Sequence, residues 1–315
     1  MSRKICVLSA FLMISSIGIV LAQEKSAVSL NDIIDKDAQA VVLGDGYKFC
    51  EGPAADAVGN VYFSDGGNDT IHFYAYGQPV RVFAGNCTDA NGMMFNHKGE
   101  LISVEGGLRR IVAFDIRTKE KRVLADQIDG TKFNEPNDVT VDFEDGFYFT
   151  DPYYKHRNQG ALMKEDVYYV SSTGNVTRVS TVCKRPNGIL LTADCKTLYV
   201  ADNGSSKIYR YDVAGPGKLE NETVFITDAP GGDGMTLDAK DNLYISCGGN
   251  GILVYDKTGK RIGVIGKEFG IPYASNCVFG GPGFSVLYVT SIGKFFGIPM
   301  KVKGQLSPCA DLIKP

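Results

Sequence analysis

Residues 137–151 read NDVTVDFEDGFYFTD, residues 187–202 read NGILLTADCKTLYVAD, and residues 233–246 read DGMTLDAKDNLYIS. In each, a polar residue opens a short alternating apolar run, a polar turn follows, and a Tyr-centred strand pattern comes next. The same phrase recurs as EGPAADAVGNVYFSD from Glu51, NGMMFNHKGELISVE from Asn91 and NCVFGGPGFSVLYVTS from Asn276. The opening residues are 40, 46, 50, 46 and 43 positions apart, and Tyr62, Ile102, Tyr148, Tyr199, Tyr244 and Tyr288 follow them by eleven or twelve.

A unit of 40 to 50 residues built only of strand patterns is the signature of a propeller blade with four short strands. Six units predict an all-β, six-bladed β-propeller with a central metal-binding channel. No stretch carries the helical period that the crossover helices of a parallel α/β sheet require. The stretch VVLGDGYKF before Glu51 is expected to supply an outer strand that closes the ring and removes exposed sheet edges.

One repeating pattern spans most of the 315 residues, so the chain reads as a single domain over residues 41–315, preceded by a polar lead-in over 23–40. Residues 1–22 carry Arg3 and Lys4, then an apolar stretch ending in small residues at Ala22. This reads as a cleaved secretory signal, with a retained anchor as the competing reading, and implies a secreted or periplasmic protein with no membrane contact after cleavage. Removing Arg3 and Lys4 takes the formal charge from −3 to −5 with acids and bases interspersed, which points away from nucleic acid or an anionic surface as partner. The eight cysteines show no CxxC spacing and describe no zinc site. Cys183 and Cys195 have the spacing to close a hairpin, and buried single thiols are the alternative. Composition leaves the oligomeric state open.

In a propeller the first strand of each blade lines the channel, so Glu51, Asn91, Asn137, Asn187, Asp233 and Asn276 are expected to form a ring. Two carboxylates and four amides, with no Lys or Arg among them, suit a hard divalent cation. Calcium takes six to eight oxygens, and Glu51, Asn137, Asn187 and Asp233 offer four. Mg2+, Mn2+ and Zn2+ remain open, since oxygen donors argue mainly against thiol-seeking ions. The bland alternative is that Asn-Gly, Asp-Gly and Asn-Asp are turn formers.

The segments EGPAADAVGNVYFSD, NEPNDVTVDFEDGFYFTDPYY, RPNGILLTADCKTLYVADN, GGDGMTLDAKDNLYIS and SNCVFGGPGFSVLYVTS, from Cys50 to Ser291, together resemble the SMP-30/gluconolactonase/luciferin-regenerating-enzyme-like family. The resemblance implies a catalytic divalent metal held by the Glu of EGP, the Asn of the NG segment and the Asp of the DGM segment, which are Glu51, Asn187 and Asp233. It puts Asn137 beside the same metal, binding it or the substrate. It further implies a small lactone as substrate, a metal that polarises the ring carbonyl, and Asp233 as the group that orients or deprotonates water. Some animal members have an Arg where Glu135 stands, so that substrate contact does not transfer.

Asn91, Glu105, Arg109, Tyr153, Asp202 and Asn276 are candidates for substrate contact at the rim. Glu105 with Arg109 reads alternatively as an ion pair, and Tyr153 as packing. His72, His97 and His156 fall outside the ring-opening segments, which disfavours a histidine dyad or a Ser-His-Asp triad. The leading expectation is a lactone hydrolase; hydrolysis of organophosphates or other esters on the same metal, and a non-catalytic calcium-binding scaffold, are the alternatives.

Overall fold

The computed structural model describes residues 28–155, 162 and 164–306. The expected leader over 1–22 lies outside them. Six antiparallel sheets of four strands stand around a channel. In chain order the first strands of the sheets are Cys50–Ala55, Ala90–Phe95, Val139–Val141, Pro186–Leu191, Met235–Leu237 and Asn276–Gly280. These define blades 1 to 6. The expected closing strand is present: Val41–Asp45 pairs with Lys294–Pro299 as the outermost strand of blade 6, with Val42 opposite Phe296 and Asp45 opposite Lys294. Among the described residues the helical elements are short 3-10 turns.

The eleven-residue spacing has a local cause. The first and second strands of blades 1, 2, 3 and 5 are joined by a turn whose leading Asp or Asn accepts two downstream backbone N–H groups. Asp56 Oδ1 accepts from Val58 and Asn60, Asn96 Oδ1 from Lys98 and Glu100, Asp142 Oδ1 from Glu144 and Gly146, and Asp238 Oδ1 from Lys240 and Asn242. Such side chains mimic a backbone turn and set its length. Blade 4 uses Thr192, whose hydroxyl accepts from Thr197 at 3.0 Å, and blade 6 uses the 3-10 turn Pro282–Phe284. Those are the two blades with a spacing of twelve.

The repeated tyrosines fill the seams between blades: Tyr148, Tyr244 and Tyr288 are 0%, 0% and 1% exposed. Two of their hydroxyls are paired, Tyr148 accepting from Gly217 N at 2.9 Å and Tyr244 donating to Asp238 Oδ2 at 3.0 Å, while that of Tyr288 has no partner among the described residues. Aromatic and β-branched side chains dominate these seams because each blade packs two faces against neighbours. Phe133, Val139, Phe149 and Tyr168 of blade 3 and its approach, for example, meet Val104 and Ile111 of blade 2. The described part of the lead-in, from residue 28, packs on the body, with Ile33 and Ile34 fully buried against blades 5 and 6. At the far end of the channel the chain crosses beneath blades 4 and 5, where Gln305 N donates to Leu237 O at 2.8 Å and its side-chain oxygen accepts from Ala193 N at 3.0 Å.

Candidate metal centre and active site

The ring residues do not sit in turns. Glu51, Asn91 and Asn187 lie inside first strands, each at a register shift against the second strand: between Glu51 and Ala54, Ala90 and Met93, and Pro186 and Ile189. A bulge bends its strand and re-aims a side chain. Asn137 and Asp233 precede their strands by two residues and are still tied to the second strand, Asn137 N donating to Thr150 O and Asp233 N to Ser246 O, both at 2.9 Å.

The glycine that follows most of these residues serves close approach between blades. A Cβ on Gly188 would lie 2.2 Å from Asp233 O, and one on Gly234 would lie 1.8 Å from Cγ of Asn276. Gly52 and Gly92 meet the next blade in the same way. This replaces the turn-former reading of Asn-Gly and Asp-Gly with a packing reason.

Glu51, Asn91, Asn137, Asn187 and Asp233 line one cavity of about 480 Å³ at the mouth of the channel, together with Tyr154, Lys155, Tyr273 and Asp89. Glu51 is 4% exposed, Asn187 5% and Asn137 8%. Glu51 accepts from Gly52 N at 2.9 Å and is also hydrogen-bonded by the Asn276 side chain, whose Oδ1 accepts from Cys277 N at 2.8 Å. Asn276 therefore stands beneath the cavity, bracing Glu51. Asn187 hydrogen-bonds Asp233, and its Nδ2 donates to the Tyr154 hydroxyl at 2.8 Å.

Burial drives the Glu51 carboxyl up to about 8, with Asp138 adding to the rise. It drives Asp233 well above the carboxylate range, with Glu51 and Asp138 adding repulsion. Asp138, the next residue below Asn137, is likewise raised by burial to about 7. Its carboxylate accepts from Val139 N and Ile189 N at 2.9 and 3.1 Å and binds blade 3 to blade 4. Burial and mutual repulsion thus disfavour charge on these carboxyls, and a divalent cation between Glu51 and Asp233 would relieve the conflict. Among the described residues no cluster of three His, Cys, Asp or Glu side chains has the arrangement of a metal site. The candidate centre therefore consists of the Glu51 and Asp233 carboxylates with the Asn137 and Asn187 amides, an all-oxygen set that fits a hard cation.

Five of the six expected rim residues do not line this cavity: Asn276, which stands beneath it, and Glu105, Arg109, Tyr153 and Asp202. Glu105 and Asp202 are fully buried and occupy equivalent places, with Asp65 and Asp151, at the end of a second strand. Three of these acids hold the segment that leads into a ring residue. Asp65 accepts from Phe49 N at 3.1 Å, Asp151 from Asn134 N at 2.8 Å and Asp202 from Arg185 N at 2.8 Å. Asp202 and Asp65 are thus alike, and Asp202 reaches Arg185 rather than a ring side chain. Glu105 is neutralised by Arg110 at 2.6 Å and Lys121 at 2.5 Å, not by Arg109. Arg109 is 7% exposed, in a left-handed turn with φ +56°. Tyr153 turns inward at 6% exposure while Tyr154 takes the cavity wall. Cys183 and Cys195, like the other described cysteines, are unpaired thiols.

Sequence reasoning placed the Tyr153–Tyr154 pair at the rim and chose Tyr153 of the two, and it did not assign Asp138, Lys155, Asp89 or Tyr273 to the site. A signal existed for Asp138, because Gly follows the ring residue in four blades and an acid in this one. Lys155 Nζ meets Asp89 Oδ1 at 2.7 Å across the mouth, a pairing from two distant segments that no local pattern announces.

The profile of the SMP-30/Gluconolactonase/LRE-like region matches residues 49–293. A gluconolactonase from Zymomonas mobilis is 29% identical over 291 residues, covering 82% of this chain and 81% of its own length. Regucalcin from Xenopus laevis is 32% identical over 146 residues, 44% of this chain and 46% of its own. The solved structure of a gluconolactonase from Xanthomonas campestris superposes with a TM-score of 0.78 at 26% identity, over 86% of this chain and 92% of that one. With a matched region that runs from the approach to Glu51 into the sixth blade, the chain belongs to the SMP-30/gluconolactonase/LRE-like family.

Proposed function

We propose that this protein is a divalent-metal-dependent lactonase that opens a sugar lactone, and that it acts after export on the leader at residues 1–22. One observation carries the reading: the cavity of about 480 Å³ is floored by the Glu51 and Asp233 carboxylates and the Asn137 and Asn187 amides. The similarity to gluconolactonases supports the substrate class. Calcium is the ion this donor set suits best.

When bound, the cation supplies Lewis acidity toward a carbonyl oxygen and toward water. Asp233 is the proton acceptor of the proposed reaction: beside a cation its carboxylate is ionised, and one oxygen takes the proton of the attacking water as the carbonyl carbon is attacked. Glu51, braced by Gly52 N and Asn276, keeps its orientation and contributes the second negative charge. Tyr154, Tyr273 and Asn91 line the wall where a polyhydroxylated ring would lie. Cleavage of the ring C–O bond leaves a hydroxy acid, the ring oxygen taking the proton that Asp233 accepted from water and restoring its carboxylate.

Asp233→Asn tests the assignment. It keeps the size and removes the base, so turnover should fall by about 100-fold or more while the circular dichroism of the folded propeller is retained. Full lactonase activity in that variant would contradict the role given to Asp233.

A further inference from the structure

Asn187 can serve a cation only through Oδ1, since its nitrogen has donors and no lone pair to offer. The Asn187 amide nitrogen has an acceptor here, the Tyr154 hydroxyl, 2.8 Å from Nδ2. With the nitrogen turned to that hydroxyl, Oδ1 is the atom left for a cation.

Tyr154 is itself held by a built frame. Its backbone N–H donates to the buried Glu135 carboxylate, and the next N–H, of Lys155, donates to the same group at 2.7 and 3.0 Å. The Tyr153 N–H donates to Glu165 at 3.0 Å, and Glu165 pairs with Arg185 at 3.3 Å. The Arg185 guanidinium in turn lies 5.5 Å from the centroid of the Tyr154 ring. Glu135 and Arg185 each stand two residues before a ring amide, Asn137 and Asn187 respectively. The connection between the second and third strands of blade 3 is therefore fastened to the same segments that present the amides.

We propose that Tyr154 is a positioning residue for the metal centre, its hydroxyl fixing the Asn187 amide so that Oδ1 faces the cation; this rests on the metal-centre reading above. Partners that orient a ligand in this way typically change metal affinity by about 10- to 100-fold when removed. Tyr154→Phe deletes the acceptor and keeps the ring under Arg185.

The test is a calcium titration of EDTA-stripped, full-length protein by calorimetry, beside thermal unfolding of the same stripped samples. Wild type, Tyr154→Phe and Tyr273→Phe are compared, the last removing a hydroxyl of the same cavity that is not tied to a ring amide. The expected result is a calcium Kd about 10-fold or more weaker in Tyr154→Phe alone, with the melting temperature of the stripped protein unchanged. Wild-type affinity in Tyr154→Phe, an equal loss in Tyr273→Phe, or a fall in the stripped protein's melting temperature would overturn the positioning role and leave the metal centre standing. Absence of calcium binding by the wild type would overturn both.

Discussion

A Cβ on Gly234 would fall 1.8 Å from Cγ of Asn276, so the residue after Asp233 and the amide that braces Glu51 occupy adjoining space. Gly234→Ala must push Asn276 or the blade 5 backbone aside. Overpacking of this kind costs about 1–3 kcal/mol, and here the displaced group also orients a carboxylate of the centre. Urea unfolding should register the loss, and lactone turnover should fall with it. A variant of wild-type stability and activity would contradict the packing account.

Thr150 ties two blades together at the floor of the site. Its hydroxyl donates to Asn187 O at 2.6 Å and accepts from Asp138 N at 3.2 Å, and the residue is fully buried. Thr150→Val preserves shape and strands both partners, each buried polar group left unpaired costing about 1–3 kcal/mol. Chemical denaturation should show a drop of that order.

The buried carboxyls predict how the cation-free protein responds to pH. Glu51 is raised by burial from an ordinary 4.5 to about 8, and Asp138 and Asp233 shift in the same direction. A folded-state pKa above the unfolded one means the native state holds protons that the unfolded chain releases. The associated stability is complete below about 4.5 and is lost as pH rises through about 8. Melting temperatures in EDTA should therefore fall between pH 5 and 8.5, calcium should flatten the slope, and Glu51→Gln should remove part of it. A melting temperature that rises across this window in EDTA would contradict the electrostatics described.

Lys155 reaches Asp89 across the mouth with its side chain 63% exposed. An ion pair so exposed is worth about 0–1 kcal/mol, so Lys155→Ala should leave the melting temperature nearly unchanged. Because the pair borders the cavity, KM for a lactone should rise while kcat holds. Steady-state kinetics on the variant distinguishes this from a purely solvated pair, for which neither parameter moves.

The blades and most of the ring were legible because they repeat. The Asx turns of Asp56, Asn96, Asp142 and Asp238 fix a constant offset between first and second strands, and a constant offset is visible in one dimension. Glu105 and Asp202 were misread for the same reason that the fold was readable. They are members of a repeated structural acid, and their chemistry resembles that of a site while their partners are backbone N–H groups and cations of their own blade. Tyr154 and Lys155 were not separable from Tyr153 by pattern. Which of them faces the cavity depends on the Glu135 carboxylate catching two consecutive N–H groups, a contact across 19 and 20 residues with no periodic signature.

The central claim is that this ring carries out metal-dependent lactone opening, and pH-stat hydrolysis of glucono-1,5-lactone by the purified protein tests it most directly. Acid release well above the spontaneous rate, abolished by EDTA and restored by calcium, or by manganese, magnesium or zinc, is the predicted result. Release that survives EDTA would contradict the metal dependence, and no release with any of these ions would contradict the lactonase assignment.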